Sequence, residues 1–425
     1  MERVSNRINR WGTNLSVGFF LALRQVRRSA KSTTLLIIFV MTLTFLNLVV
    51  VRGILVGLLQ GSTDVYVETY SGDILISNLS KKHYIENSPA ILEIVRNMPW
   101  VEYATPRYME SGTLEAGYKE RIRLTDDPNL AGGVVAGIDP EIEDLATDLS
   151  SKVIEGSYLT PDDADGILIG ANLLKKYLPF DIPGFPLLEN VEIGDRVRLQ
   201  IGENTKEVIV KGVVRAKSDF VDMRIFTLDR TLRPLIGRGD FNVDEIAIKL
   251  KPGVDPYFVK DALLAAGVGE TARVQTWQES LPKFLLDIQD TFSLLGNVMG
   301  SISIVVASIT IFIVVFINAI TRRKFIGILK GIGISPGAIE ISYIFQSVFY
   351  ALLGTGIGLM LLYGLMVPFF KSHPINFPFS DGILVAEVAG TFVRALLIVV
   401  ATVIAGFIPA RLVVKKNTLD SILGR

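Results

Sequence analysis

The chain alternates long apolar runs with polar stretches, and four of the apolar runs are long enough to cross a membrane. One run precedes a polar insert of about 230 residues and three follow it: residues 33–51, then 292–320, 339–370 and 388–407. A helix that crosses the hydrocarbon core needs about 20 apolar residues. The pattern therefore predicts a polytopic membrane protein with one large domain outside the bilayer.

A shorter amphipathic pattern precedes the first run. Apolar residues recur at helical spacing and arginines lie around the other side; the apolar set is Leu15, Phe19, Ala22, Leu23 and Val26. This spacing predicts a basic helix on the inner membrane surface, with contact to a cytoplasmic partner as the alternative. The apolar run that follows is long and lacks a small-residue cleavage pattern, so we expect a retained anchor rather than a signal peptide.

The polar insert shows a strand–helix–strand pattern at each of its ends. The predicted strands are 73–77, 101–108, 245–250 and 272–276, and the helices are 88–98, capped by Ser88, and 255–266. Between them a β-rich lobe over about 110–240 is expected, with a helix at 171–178, a loop at 179–186 and a tight hairpin of 196–201 and 207–214. The fold class expected is an α-helical membrane protein with four transmembrane helices (1+3) and a large α+β extracytoplasmic domain of two lobes.

Charge gives the orientation that hydropathy alone leaves open. Residues 60–290 hold 25 Lys and Arg against 38 Asp and Glu, a net charge of −13, whereas the segments 1–31, 321–336 and 409–425 are basic. Basic segments stay in the cytoplasm. The predicted division is a cytoplasmic helix 1–31, a transmembrane helix with its stalk 32–59, an extracytoplasmic domain 60–290, a transmembrane helix 291–320, a cytoplasmic segment 321–336, a transmembrane helix 337–370, an extracytoplasmic loop 371–387, a transmembrane helix 388–408 and a cytoplasmic tail 409–425.

No residue pattern indicates catalysis. The chain has no cysteine, which excludes disulfides and thiolate metal sites, and no GxxxxGK[ST] motif for ATP. His83 and His373 are isolated and are expected to be solvated. Three aspartates at 162, 163 and 165 lack the full calcium-loop pattern and are expected to form a solvated turn. We therefore expect no enzyme activity, no metal and no cofactor on this chain, and no pattern indicates a nucleic-acid partner.

Within the spans, polar and small residues are the informative ones. Arg52 and Arg394 lie near the outer ends of the first and fourth runs, where they are expected to reach the headgroups, with a substrate or partner contact as the alternative. The polar residues expected to bond between helices are Asn47, Asn318 and Gln346. Glycines at GxxxG spacing predict close helix packing and make association into a dimer plausible; they are Gly296, Gly300, Gly354 and Gly358.

The segment between the second and third runs, residues 321–336, reads TRRKFIGILKGIGISP. It predicts a short basic helix that ends at Gly333, followed by Ser335 as helix cap and Pro336 at the start of the next span. Its apolar ridge of Phe325, Ile328, Leu329 and Ile332 is longer than a turn requires. Such a ridge on a short helix favours a groove on a partner protein.

This segment resembles the coupling segment of the MacB/FtsX superfamily of ABC transporter permeases. The one-plus-three layout and the tail around Pro409-Ala410-Arg411 and Thr418-Leu419-Asp420 are similar as well. The stretches 137–140 (GIDP), 166–173 and 191–197 resemble the lipoprotein-releasing (LolC/LolE-like) group. The hairpin turns tightly at 202–204, unlike the long excursion of permeases that recruit a periplasmic chaperone, which argues against direct handover to one.

The resemblance implies a permease subunit in the bacterial inner membrane, coupled to a separate cytoplasmic ATPase dimer that holds ATP and Mg. It also implies a second permease chain, identical or not, and export or extraction of a lipoprotein, lipid or other hydrophobic substrate; a periplasmic adaptor stays open. The residues it implies at the ATPase contact are Arg322, Arg323, Lys324, Phe325, Gly327, Ile328, Lys330, Gly333 and Ser335. The alternatives are an FtsX-like regulator of an extracytoplasmic enzyme and a membrane-anchored ligand-binding scaffold without transport.

Overall fold

The structure is a computed structural model that describes residues 2–28, 31–119, 128–178, 184–373, 375–377, 380–382 and 384–415. Its helices are α1 (Glu2–Arg28), α2 (Lys31–Tyr66), α3 (Ser88–Arg96), α4 (Pro140–Thr147), α5 (Asp219–Asp222), α6 (Asp229–Leu235), α7 (Pro256–Ala265), α8 (Trp277–Ser280), α9 (Lys283–Thr321), α10 (Arg323–Gly331), α11 (Pro336–Leu361), α12 (Val367–Ser372) and α13 (Val388–Val414). Its strands are β1 (Ile74–Asn78), β2 (Val101–Ala116), β3 (Asn129–Ile138), β4 (Val153–Gly156), β5 (Gly166–Gly170), β6 (Arg196–Ile201), β7 (Asn204–Val214), β8 (Arg224–Leu228), β9 (Glu245–Leu250), β10 (Ala272–Thr276), β11 (Ile375–Phe377) and β12 (Ser380–Gly382). They divide into two compact units, a membrane unit (Met1–Leu58, Asp287–Ile375 and Gly382–Arg425) and an insert unit (Leu59–Leu286 and Asn376–Asp381).

The four predicted spans are confirmed. Four helices are long and apolar enough to cross a membrane: Lys31–Ser71, Lys283–Thr321, Pro336–Ser372 and Val388–Leu412. Two of them contain a π-helical turn, Val67–Ser71 after α2 and Leu362–Met366 after α11. The helices extend beyond the apolar runs because helical hydrogen bonding continues into polar residues that hydropathy assigns to loops.

In the membrane unit, α1 packs along α11, and α11 packs against α13. The predicted helix before the first span is confirmed, but its apolar face is divided. Ala22 is buried with Leu21 and Gln25, whereas Leu15, Phe19 and Leu23 are exposed. One stripe of the helix therefore contacts protein, and the adjacent apolar stripe remains available to the membrane surface.

The insert unit is built on a mixed sheet. Its strand order is β10-β1-β9-β2-β3-β8-β5-β7-β4, and β6 pairs with both β2 and β7. The two predicted strand–helix–strand units thus share one edge of the sheet, since β1 lies antiparallel between β10 and β9. Because β2 pairs with β9 and also with β3 and β6, it runs through both predicted lobes. The division into two lobes stays a prediction.

The core of the insert follows the alternation of apolar residues along the strands. Ile74, Ile76, Ile246 and Ile248 are fully buried, and helices α3 and α7 add side chains to the same cluster. Each such buried side chain contributes about 1.5–3 kcal/mol relative to an exposed one. This core makes the unit large enough to fold without disulfides.

A buried ion pair fixes the end of α2 to the sheet. The guanidinium of Arg107, on β2, donates from Nη2 to the Glu143 carboxylate at 2.6 Å and from Nη1 to the Tyr70 carbonyl at 2.7 Å. Tyr70 lies in the π-helical turn that follows α2, and its hydroxyl donates to Glu245 at 2.6 Å. Sequence patterns did not predict this network, because its members are distant in the chain.

Three local predictions need correction. Asn87, with a φ of 60°, is the cap of α3, because the Ser88 hydroxyl instead accepts the Val243 N–H at 2.9 Å. The expected helix 171–178 is only a 3₁₀ turn, Ala171–Leu173, because Lys175 N–H donates to the Leu188 carbonyl. Of the expected loop 179–186, residues 179–183 lie outside the described residues. The tight hairpin is confirmed, with Ile201 paired to Asn204.

Candidate functional site

The segment between the second and third spans is a capped helix with defined ends. After α9 ends, Arg322 leaves the helical conformation and α10 begins. Gly333, with a φ of +95°, ends it: its N–H donates to the Lys330 carbonyl, as Ile334 N–H does to Leu329. The Ser335 hydroxyl accepts the Ala338 N–H at 3.2 Å and Pro336 opens α11. The predicted helix and both of its boundary signals are confirmed.

The two faces of α10 have different surroundings. Ile326 and Leu329 are buried in the apolar cluster of the membrane unit. Phe325, Ile328 and Ile332 are 47%, 53% and 71% exposed on the opposite face. The predicted ridge is therefore wrong in one member, Leu329, which points inward because a position three or four residues from Ile326 shares its face.

The residues predicted at a partner contact fall into two groups. Lys324, Phe325 and Ile328 are exposed and free to meet another protein. The others lie in or between the helices and set the shape of the segment: Arg322, Arg323, Lys330 and Ser335 are half-buried, Gly327 is buried, and Gly333 forms the exposed end of the helix. Lys330 Nζ donates to the Val414 carbonyl of α13, so the helix is also fixed at its C-terminal turn.

Sequence reasoning missed the contribution of α1 to this site. Ser335 Oγ donates to Asn14 Oδ1 at 2.5 Å, and Gln346 Nε2 donates to Gln25 Oε1 at 2.5 Å. A Cβ on Gly18 would lie 2.6 Å from a methyl of Ile341, so only glycine permits this approach of α1 to α11. The available signal was a line of small and amide side chains on one side of an otherwise apolar and basic helix.

The GxxxG glycines lie against α2. A Cβ on Gly354 would lie 2.5 Å from Met41, and one on Gly358 would lie 2.4 Å from Phe45. A Cβ on Gly300 would lie 3.0 Å from Leu48. At Gly296 the neighbour is the Arg52 side chain, at 3.4 Å. Three of the four glycines therefore allow close helix contact, and the fourth, Gly296, leaves room for the aliphatic part of the Arg52 side chain.

Two of the polar residues expected to bond between helices do so. Asn47 Oδ1 accepts from Ser303 Oγ at 2.7 Å, and Gln346 bonds Gln25 of α1. The side chain of Asn318 makes no interhelical hydrogen bond within the described part of the chain; its carbonyl accepts the Arg322 N–H at 3.2 Å.

Groups that can hold metals are not assembled. His83 and His373 are exposed, as expected. In the aspartate turn, Asp163 bonds Lys211 and Asp165 bonds Lys206 at 2.9 Å, so these carboxylates have cationic partners. Across the described residues, no group of three or more His, Asp or Glu side chains is placed to hold a metal ion.

The C-terminal part of the chain is similar to a known protein family. Residues 297–418, which contain α10, match the FtsX-like permease C-terminal family. The ABC transporter permease YtrF of Bacillus subtilis (strain 168) is 29% identical over 133 residues, which is 29% of this chain and 30% of that protein. The chain thus spans about a third of the length of this curated relative. Of the tail motif predicted from resemblance, residues 409–411 lie in α13 and residues 418–420 lie outside the described residues.

Solved structures also align with this chain. One is the periplasmic region of MacB from Actinobacillus actinomycetemcomitans, with 16% identity and a TM-score of 0.34, covering 49% of this chain and 90% of that one. Another is the extracellular domain of the ABC-type transporter YknZ from Gram-positive bacteria, with 14% identity and a TM-score of 0.31, covering 48% and 99%.

Proposed function

We propose that this chain, whose residues 297–418 match the FtsX-like permease C-terminal family, is the permease subunit of an ABC transporter. A separate cytoplasmic ATPase, which would hold ATP and Mg, docks on α10. The main support for this proposal is that one face of α10 is packed against the membrane unit and the other exposes Phe325, Ile328 and Ile332.

The shape and charge of α10 support this docking. A short helix with three exposed apolar side chains on one face matches the recognition mode in which a helix enters an apolar groove. Lys324 stands beside the ridge and would add charge contacts at the rim. Because Ile326, Leu329 and the Lys330–Val414 bond hold the other face, a push on α10 would move the adjoining spans rather than a loose loop.

Long helices support transmission through the membrane. Helices α2 and α9 have 36 and 39 residues and run without interruption past their apolar sections. A 36-residue helix is about 54 Å long, well beyond the ~30 Å hydrocarbon core. Helical continuity and the absence of a Gly- or Ser-rich linker favour mechanical coupling from the cytoplasm to the insert.

A substrate path through the spans is not part of this proposal. The spans contain few ionisable residues, and a polar solute would need more. We propose instead that ATP-driven movement of the insert extracts or exports a lipoprotein, lipid or other hydrophobic molecule at the outer surface of a bacterial inner membrane. Two permease chains would pair, with both termini of each in the cytoplasm, and neither would be an enzyme.

The test is co-purification of an ATPase with the full-length chain from its native membrane. Wild type should bring down a P-loop ATPase, identified by mass spectrometry and by ATP hydrolysis. The variant Ile328→Glu with Ile332→Glu should lower the recovered ATPase about tenfold or more, because two buried charges would enter the groove. These positions leave the packed face of α10 intact, unlike a change at the buried Gly327.

The control is Ile154→Glu, which places one such charge on an exposed isoleucine of the insert (44% exposed, against 53% for Ile328); the single variant Ile328→Glu is its matched counterpart and should also lower the recovered ATPase. The Ile154→Glu variant should recover as much ATPase as wild type. If wild type recovers none even with a non-hydrolysable ATP analogue present, the permease assignment is wrong and a ligand-binding scaffold becomes the better account.

A further inference from the structure

Two arginines lie in the membrane unit at the end of the spans away from α10, and neither is neutralised. Arg52 is on α2 and Arg394 is on α13, and both are half-buried. Arg52 Nη1 donates to the neutral amide oxygen of Asn297, near the start of α9, at 2.5 Å. Among the described residues neither guanidinium group makes an ion pair within 4.0 Å. Half-buried cations without a counter-ion are unusual in structural roles.

Backbone packing brings the two arginines together. The Val385 N–H donates to the Gly53 carbonyl at 3.2 Å, and a Cβ on Gly53 would lie 2.7 Å from the Val385 oxygen. The segment before α13 is therefore pressed onto α2 beside Arg52. The charges of Arg52 and Arg394 repel each other, and the exposed Glu387 is the acid that acts on Arg394. One carboxylate against two guanidinium groups leaves a net positive charge.

The start of α13 adds a second source of positive potential. Its first turn closes with the Thr391 N–H donating to the Glu387 carbonyl at 2.9 Å, so the N–H groups before it lack helical partners. Helix N-termini attract anions for this reason. A Cβ on Gly390 would lie 3.2 Å from Arg394 Nη1 and 3.6 Å from Glu387 Oε2, so the missing side chain leaves space between the arginine and this carboxylate.

The surroundings of the arginines are apolar. On α13, Leu397 lies three residues after Arg394 on the same side of the helix and is 49% exposed, and the neighbouring Val393 is 55% exposed. These residues would face acyl chains in a bilayer. A soluble anion would gain nothing from them, whereas a lipid would use both the cationic site and the adjacent apolar surface.

We propose that Arg52 and Arg394 bind the phosphate of an anionic phospholipid headgroup in the leaflet next to the insert. The guanidinium fork of Arg394 pairs with two phosphate oxygens, and the acyl chains lie along Val393 and Leu397. The site does not depend on the ATPase assignment: binding belongs to the isolated chain, so it can succeed or fail separately from the co-purification test.

The experiment is native mass spectrometry of the purified full-length chain titrated with phosphatidylglycerol or with phosphatidylcholine. Wild type should bind phosphatidylglycerol at least about fivefold more tightly, since choline offsets the phosphate charge. Arg394→Gln and Arg52→Gln should each weaken the binding of phosphatidylglycerol about tenfold, which is the loss of affinity expected when a charge-assisted hydrogen-bond pair is removed. Lys371→Gln removes the same charge from an exposed lysine at the same end of the spans and should change binding less than twofold.

Arg394→Lys covers the outcome in which a glutamine variant fails to fold. This variant keeps the charge, and its affinity for phosphatidylglycerol should fall about threefold, because an ammonium group cannot pair with two oxygens at once. Equal weakening by Lys371→Gln, or no effect of either arginine variant, would overturn the site. Displacement of the lipid by sn-glycerol 1-phosphate at similar concentration would overturn the lipid assignment in favour of a soluble phosphate; a hundredfold excess should displace little.

Discussion

Asp222 is a carboxyl group buried inside the insert, where only 2% of it is exposed. It ends the short helix α5, and its Oδ1 accepts the Ala216 N–H at 2.6 Å. Burial raises the pKa of Asp222 to about 6, against the opposing effect of backbone hydrogen bonds from Ala216 and Lys217. A single residue therefore titrates within two pH units of neutrality.

We predict a pH-dependent stability contribution from this carboxyl group. Its pKa is higher in the folded state than the ordinary 3.8 of an aspartate, so between these two pKa values the folded state holds a proton that the unfolded state releases. The contribution is complete below about pH 4 and is lost as the pH rises through about 6. Asp222→Asn should match wild type near pH 4, and its free energy of unfolding should exceed that of wild type by about 3 kcal/mol at pH 7. Urea unfolding of both full-length proteins, followed by tryptophan fluorescence, measures this difference; a difference that does not change with pH would contradict it.

Single residues were predictable where their partners are close in sequence. Ser335 caps its helix as expected, because its hydroxyl accepts an N–H three residues ahead. The prediction that Ser88 caps a helix is wrong, because its hydroxyl instead bonds Val243, which is 155 residues away. Arg52 and Asn297 are 245 residues apart, so local patterns could not predict their contact either.

At the scale of elements, the close contact between α2 and α11 depends on a glycine, which has no side chain to hold the two helices apart. Thr42 Oγ1 donates to the Gly354 carbonyl at 3.0 Å, a bond that needs the two backbones close together. A Cβ at Gly354 would lie 2.5 Å from the Met41 Cβ, a distance that real structures do not contain. Gly356, two residues further on, faces open space.

We predict opposite effects of alanine at these two glycines. Gly354→Ala should destabilise the membrane unit by about 1–3 kcal/mol, because the helices must separate and the Thr42 bond weakens. Gly356→Ala is the matched control and should be neutral or stabilising by up to about 1 kcal/mol, since alanine favours the helix. Thermal unfolding of the detergent-solubilised variants measures both effects. A lower midpoint for Gly356→Ala than for Gly354→Ala would show that close packing is not the cause.

Elements were predicted well where period and end signals agree. Strands β9 and β10 have the expected bounds, and α10 ends at the expected glycine. The prediction of a short helix at 171–178 is wrong, because the backbone there forms hydrogen bonds with Leu188, in a segment that has no strand pattern in the sequence. The division of α10 into packed and exposed faces also required the structure, since Leu329 and Ile328 are equally apolar in sequence.

At the scale of the whole molecule, opposite charges separate along a chain whose net charge is zero. The insert is acidic, at −13 over residues 60–290, and the segment that contains α10 is basic. From the positive-inside rule we expect α10 in the cytoplasm and the insert outside. The proposed function depends on this arrangement, since ATP is available to a partner of α10 only in the cytoplasm.

The chain contains no cysteine, so a single introduced thiol reports its own side of the membrane without background. We predict that a membrane-impermeant maleimide labels Glu203→Cys, at the exposed hairpin turn, in intact spheroplasts. The same reagent should label Lys324→Cys, on the exposed face of α10, only after the membrane is permeabilised. Both positions are exposed, so a difference between them reflects sidedness rather than burial. The reverse pattern would place α10 away from cytosolic ATP and remove the basis of the permease proposal, while the lipid site at Arg52 and Arg394 would move to the inner leaflet and remain testable.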